Sequence, residues 1–178
     1  MELSDNERST IVRMEMEKAH KTFADMEFCA KEQKWEAAAN RLYYALFHAV
    51  SALLISGGQN VKSHRGIMSL FGQHYVRTGL FTSEDGSLLS DLVIMRDNAD
   101  YNLFFEANEE KITPYIEPTR QLMRQGDSCV LHNYQCQGAI IEHDLKADNN
   151  IKSIYKSMCF IKCPPHLFSP TYWKPTEE

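Results

Sequence analysis

Apolar positions recur at helical spacing through about the first 125 residues of this chain and then cease to do so. From Asp5 to about Lys31 a charge-rich run carries Ile11, Met14, Ala19, Phe23, Met26 and Ala30 on roughly one face, and Ser4 followed by Glu7 has the form of a capping box. Trp35, Ala39, Leu42, Leu46, Ala49 and Leu53 recur at steps of four and three, which predicts a second helix with a continuous apolar seam, stopped by Gly57-Gly58. Ser63 can cap a third helix reaching about Thr78, with Gly79 past its end. Thr82 or Ser83 can cap a fourth, whose stripe is Leu88, Leu92, Met95 and Ala99. A fifth is predicted from near Asn108, but Pro114 and Pro118 fall inside it. Each removes a backbone donor at about 3 kcal/mol, so this helix is expected to begin late or to be kinked. Strand-like alternation is absent. The pattern predicts an all-α fold, an up-and-down bundle of four or five helices.

Beyond Gln125 the stripe is lost, and CPPHLFSPTYWKPTEE cannot be a helix with proline at 164, 165, 170 and 175. The expected organisation is a bundle over residues 1–125 and an irregular appendage over 126–178. That appendage holds Cys129, Cys136, Cys159 and Cys163. Cys159 with Cys163, and Cys129 with His132, have spacings seen in zinc-ligand pairs, but no second cysteine pair of the usual spacing completes a site. No metal and no other cofactor is therefore assigned.

Composition narrows the function classes. With 178 residues and 43% hydrophobic content the chain can bury one good-sized core. A net charge of −5 gives no whole-molecule attraction to polyanions, so any nucleic-acid contact must come from a local cluster of cations and aromatics. No apolar run approaches the roughly 20 residues of a membrane span, and MELSDNERST lacks the order of a signal peptide. The expected location is the cytoplasm, where the thiols stay reduced.

Two polar constellations carry candidate chemistry. On the second helix Arg41, Tyr44, His48 and Ser51 are spaced to form a strip off the apolar seam. A guanidinium for phosphate, a phenol for stacking and an imidazole for proton transfer suit RNA or nucleotide binding, or RNA cleavage. The same residues in a purely structural role would pack against a neighbouring helix, with Arg41 paired to a carboxylate. In LVIMRDNADYN, Leu92 to Asn102, a helix places Arg96 and Asp100 one turn apart, where they can meet. There is no nucleophile elbow and no phosphate-binding glycine loop.

The segments ANRLYYALFHAVSALL, KSHRGIMSLFGQHYVRTGLF and LVIMRDNADYN, in that order, resemble the HEPN domain family, in particular its small stand-alone prokaryotic branch. The likeness covers about residues 5 to 125. It implies a helical bundle, often a homodimer, that acts on or binds RNA or nucleotides. Many such proteins are metal-independent endoribonucleases, typically toxins paired with a nucleotidyltransferase antitoxin or parts of phage defence. The family's catalytic pattern is an arginine, four to six residues, and then a histidine. Arg96 matches the arginine, but Tyr101, Asn102 and Leu103 stand where the histidine would. A phenol, titrating ordinarily at about 10, is a poor replacement for an imidazole at neutral pH. The bare spacing recurs in Arg41 with His48 and in Arg13 with His20.

The reading is thus an RNA- or nucleotide-binding protein with Arg41, Tyr44, His48, Arg96, Asp100 and Tyr101 at its site. Arg96, His48 and Tyr101 are the candidates for any catalysis. The rival reading is a non-catalytic module for protein interaction or dimerisation.

Overall fold

A computed structural model describes residues 3–61 and 64–136, and among these every regular element is helical. The elements are α1 (Asp5–Lys31), α2 (Trp35–Ser56), α3 (His64–Phe71) continued by a π-helical turn (Gly72–Val76), α4 (Ser83–Tyr101) and α5 (Glu109–Cys136). The described residues form an all-α bundle.

Local chemistry sets the ends. Ser4 and Glu7 form the capping box of α1, and Thr82 with Asp85 forms that of α4. At the end of α1 the Lys34 N–H donates to Cys29 O and the Gln33 N–H to Ala30 O, the paired bonds of a Schellman stop. Gln33 takes the left-handed position, at φ 56°. The same pair of bonds closes α2, from Gln59 to Leu54 O and from Gly58 to Ile55 O, with Gly58 at φ 83°. Gly57 is constrained differently: a Cβ there would lie 2.6 Å from the Tyr75 hydroxyl. The expected cap at Ser63 lies outside the described residues.

The core is built around α2, which packs against α1, α3, α4 and α5. Its predicted seam is buried from Ala39 to Leu53, with Trp35 partly so, but Ala45, Val50, Ala52 and Leu54 are buried as well. From about Ala45 onward α2 is therefore enclosed on all sides, and the expected polar strip does not continue to solvent through Ser51. In α1 the buried row is Val12, Ala19, Thr22, Phe23 and Met26, whereas Met14 is exposed. Ile11 and Val12 are adjacent apolar residues, and spacing alone does not say which of them faces inward.

The third helical segment changes hydrogen-bond register after Phe71. Across the π turn the Phe71 and Tyr75 rings stack and Phe81 meets both edge-on, while the Tyr75 hydroxyl donates to Leu53 O at 2.9 Å.

Helix α5 departs from expectation in two ways. It begins at Glu109, not later, with Asn108 Oδ1 accepting from the Lys111 N–H. Pro114 and Pro118 lie within it, both exposed. The carbonyls they leave without an intrahelical donor, on Glu110 and Pro114, belong to exposed residues that water can reach. The helix also does not stop at Gln125. It continues to Cys136 and buries Cys129, Val130 and Tyr134 in the main core. The stripe expected to vanish at 125 persists through Cys129, Val130 and Tyr134, and no proline follows Pro118 in the sequence before Pro164. Cys159, Cys163 and the rest of the proline-rich tail lie outside the described residues.

Candidate functional site

The α4 stripe of Leu88, Leu92 and Met95 is buried, and Arg96 follows Met95 at the margin of the α2–α4 contact. Its side chain keeps 22% exposure there and is held by three neighbours. Nη1 donates to Asp97 Oδ1 at 2.8 Å and Nη2 to the Tyr44 hydroxyl at 3.3 Å. Nε lies 2.9 Å from Asp100 Oδ2, but the N–H does not point at the oxygen, so this is an ionic contact and not an aligned hydrogen bond. The guanidinium carbon lies 5.7 Å from the Tyr44 ring centroid and 5.5 Å from that of Tyr101.

A second guanidinium shares the Tyr44 ring. Arg41 stands 5.9 Å from its centroid and donates through Nη2 to Asn40 Oδ1 at 3.0 Å. Asn40 in turn donates from Nδ2 to Asp100 Oδ2 at 3.0 Å. Arg41, Asn40, Asp100, Arg96 and Tyr44 thus form one connected cluster across α2 and α4, with Tyr101 at its exposed edge. Hydrogen bonding to Asp97 is the chief reason that the Arg96 pKa is raised above its already high value, so the group is a permanent cation. Burial pushes the phenol of the neighbouring Tyr43 up to about 12, and that side chain belongs to the core.

His48 belongs to a different partnership. Its Nδ1 lies 2.7 Å from Glu15 Oε2 on α1, and the residue is 8% exposed. Its ring lies 6.4 Å from that of Tyr44 at 28°, so it backs the tyrosine. Ser51 is buried and donates to Phe47 O of its own helix. Of the predicted residues, Arg41, Tyr44, Arg96, Asp100 and Tyr101 come together; His48 adjoins them through Tyr44, and Ser51 does not. Arg13 and His20 are dispersed, one to Glu17 and the other to Asp127.

Asn40, Asp97 and Glu15 were not singled out from sequence. Asn40 precedes Tyr44 by one helical turn and was legible as a member of the same strip. Asp97 and Glu15 carried no such signal, since which carboxylate meets a cation depends on side-chain direction and tertiary packing. Among the described residues no group of three or more His, Cys, Asp or Glu side chains is placed to hold a metal. Within the same residues no helix is long and apolar enough to cross a membrane.

Comparison with known proteins decides the lineage, because the sequence pattern of the HEPN domain matches residues 12–126. The chain belongs to the HEPN family. The matched stretch takes in α2, α3 and α4 whole and most of α1 and α5. This HEPN chain is similar to a UPF0332 protein of Thermotoga maritima, with 32% identity over 62% of the chain and 84% of the relative. It is also similar to two Methanocaldococcus jannaschii proteins named "Putative toxin". One is 28% identical over 54% of the chain and 65% of the relative, the other 34% identical over 41% and 54%.

Proposed function

We propose that this HEPN protein binds RNA or a nucleotide at the Arg41–Tyr44–Arg96–Tyr101 cluster, as the toxin half of a toxin–antitoxin pair or a component of phage defence. The observation that carries this reading is the pairing of two guanidiniums on one tyrosine ring, with a second, exposed tyrosine beside Arg96. Planar cations recognise phosphate oxygens in pairs, and aromatic faces stack on bases without regard to sequence. The toxin names of two relatives are in keeping with it. A nucleotidyltransferase antitoxin and a second copy of the chain are the proposed partners. Binding is favoured over metal-independent cleavage, because no histidine follows Arg96 on α4 and His48 is engaged with Glu15.

Titration of a fluorescent RNA at two salt concentrations tests the site. Affinity is expected to fall steeply with salt and by about tenfold in Arg96→Ala, the loss of a charge-assisted contact. An Arg96→Ala protein that binds like the parent would remove RNA from this cluster. Light scattering at micromolar concentration tests the second copy, and the mass of a single chain would remove it.

A further inference from the structure

On the flank of α4 turned away from Arg96 there is a groove of about 470 Å³ between α4 and α5. Ile94, Phe105, Pro114 and Tyr115 supply apolar surface to it, Asp91 and Glu110 add carboxylates, and Lys111 adds an ammonium. Ile94 precedes Arg96 by two residues, which on a helix turns it through more than half a circle. The groove is therefore separate from the guanidinium cluster. Ile94 in its wall is 60% exposed, and Leu103 and Phe104, which precede the lining residue Phe105 in the chain, are 98% and 96% exposed.

The backbone that carries them is held. The Phe104 N–H donates to Asn102 Oδ1 at 3.0 Å and the Phe105 N–H to Asn102 O at 3.0 Å, so a hydrogen-bonded turn presents the two apolar residues. A fixed turn lowers the ordering entropy that docking would otherwise cost.

Charge selects the occupant. The groove is lined by two carboxylates, Asp91 and Glu110, and one cation, Lys111. Lys111 lies over the Phe105 ring at 4.8 Å while donating to Glu106 O at 2.7 Å. RNA phosphates would meet a surplus of negative charge here. A second copy docked two-fold on the same face would bring four carboxylates together with two lysines, a surplus of negative charge that a basic partner does not have. We infer that the α4–α5 groove and the Leu103-Phe104 turn form a docking site for a basic amphipathic segment of another protein, with apolar side chains on one face and lysine or arginine at its borders.

A fluorescein-labelled peptide of leucine and lysine alone, patterned to be amphipathic as a helix, is the probe, and a leucine–glutamate peptide of the same pattern is its control. With the full chain, fluorescence anisotropy should show saturable binding of the lysine peptide. Affinity should fall by about tenfold or more in Leu103→Ser/Phe104→Ser, since buried apolar anchors dominate such interfaces. It should also fall in Asp91→Lys/Glu110→Lys, and not in Asp25→Lys/Glu32→Lys, which makes the same charge change on and beside α1. The exposure of Leu103 and Phe104 leaves the fold out of the result, and unchanged circular dichroism checks it. Equal binding of both peptides, or undiminished binding to the serine variant, would overturn the proposal. Two further results would do the same: displacement of the lysine peptide by RNA that persists in Arg96→Ala, or a wild-type dimer that the serine change dissociates. The first of these would give the groove to RNA and the second to another copy of the chain.

Discussion

Tyr44 and Arg96, 52 positions apart in the chain, meet across the α2–α4 contact, with Arg96 Nη2 donating to the phenol oxygen at 3.3 Å. Two other nitrogens of the same guanidinium, Nη1 and Nε, are taken by Asp97 and Asp100. Any phosphate that binds Arg96 must therefore compete with a carboxylate, and Asp97, the more exposed of the two, is the one to yield. Changing it to asparagine removes that competitor. A surface ion pair of this kind is worth about 0–1 kcal/mol, so Asp97→Asn should strengthen RNA binding by up to about fivefold. Arg96→Lys keeps the charge but loses the planar fork, and should weaken it. Anisotropy titrations on both variants check the pair of signs; weaker binding in Asp97→Asn would show that the carboxylate takes part in recognition.

Tyr101 and His48 should separate when stability and binding are measured together. Tyr101 is exposed and lies against Arg96, so Tyr101→Ala is expected to leave the thermal midpoint unchanged. It should cost about 1–3 kcal/mol of RNA affinity, the usual worth of one stacked base. Tyr101→Phe keeps the ring and should bind nearly as well. His48→Ala leaves Glu15 without its partner and opens space behind Tyr44. It should lower stability by about 1–3 kcal/mol, read by denaturant titration. A His48→Ala protein of parental stability that no longer cleaves an RNA the parent cleaves would return the imidazole to the catalytic role.

Periodicity carried most of the fold because burial in a bundle follows the helical repeat, and the capping residues Ser4, Glu7 and Thr82 act locally. It failed where neighbours decide. Met14 has an apolar side chain at an acceptable spacing, yet no helix covers it. Val50, Ala52 and Leu54 lie off the seam, yet α2 has neighbours on every side there. The site was legible to the same depth. Arg41, Tyr44, Arg96 and Asp100 were placed by helical spacing and motif, whereas Glu15 and Asp97 follow from tertiary packing and rotamer choice.

Gln33 holds a left-handed backbone at φ 56° in the Schellman stop of α1. A residue with a Cβ is strained there by about 1–2 kcal/mol relative to glycine, partly offset by the greater chain entropy glycine brings to the unfolded state. Gln33→Gly should raise stability by about 0.5–1 kcal/mol in denaturant titration. A destabilised variant would mean that the Gln33 side chain contributes more than its backbone costs.

Ending the chain after Gln125 should damage the core and not merely trim it. Cys129, Val130 and Tyr134 are buried on the last turns of α5, and losing them should cost about 4 kcal/mol or more. Denaturant titration of that truncated chain against the full one checks the value. Equal stability would restore the domain boundary read from the sequence at residue 125.

The contact between α1 and α5 should titrate. His20 Nε2 lies 3.1 Å from Asp127 Oδ2 and 3.3 Å from Oδ1, and Asp127 is buried at 3% exposure. The hydrogen bond to Asp127 raises the His20 pKa above its ordinary 6.5, against a smaller opposing effect of burial. Burial raises the Asp127 pKa above 3.8, and the imidazolium lowers it by less. Both groups thus bind protons more readily in the folded chain, so stability falls as pH rises through each in turn. For His20 the stabilising contribution is complete below pH 6.5 and disappears as pH climbs through the raised folded value. The Asp127 contribution lies in the acid range above 3.8. Stability measured from mildly acidic to mildly alkaline pH should therefore decline, and His20→Gln should flatten that decline while keeping a neutral donor near Asp127. An unchanged slope in His20→Gln would show that the pair does not couple protonation to folding, and would move the titrating group elsewhere in the bundle.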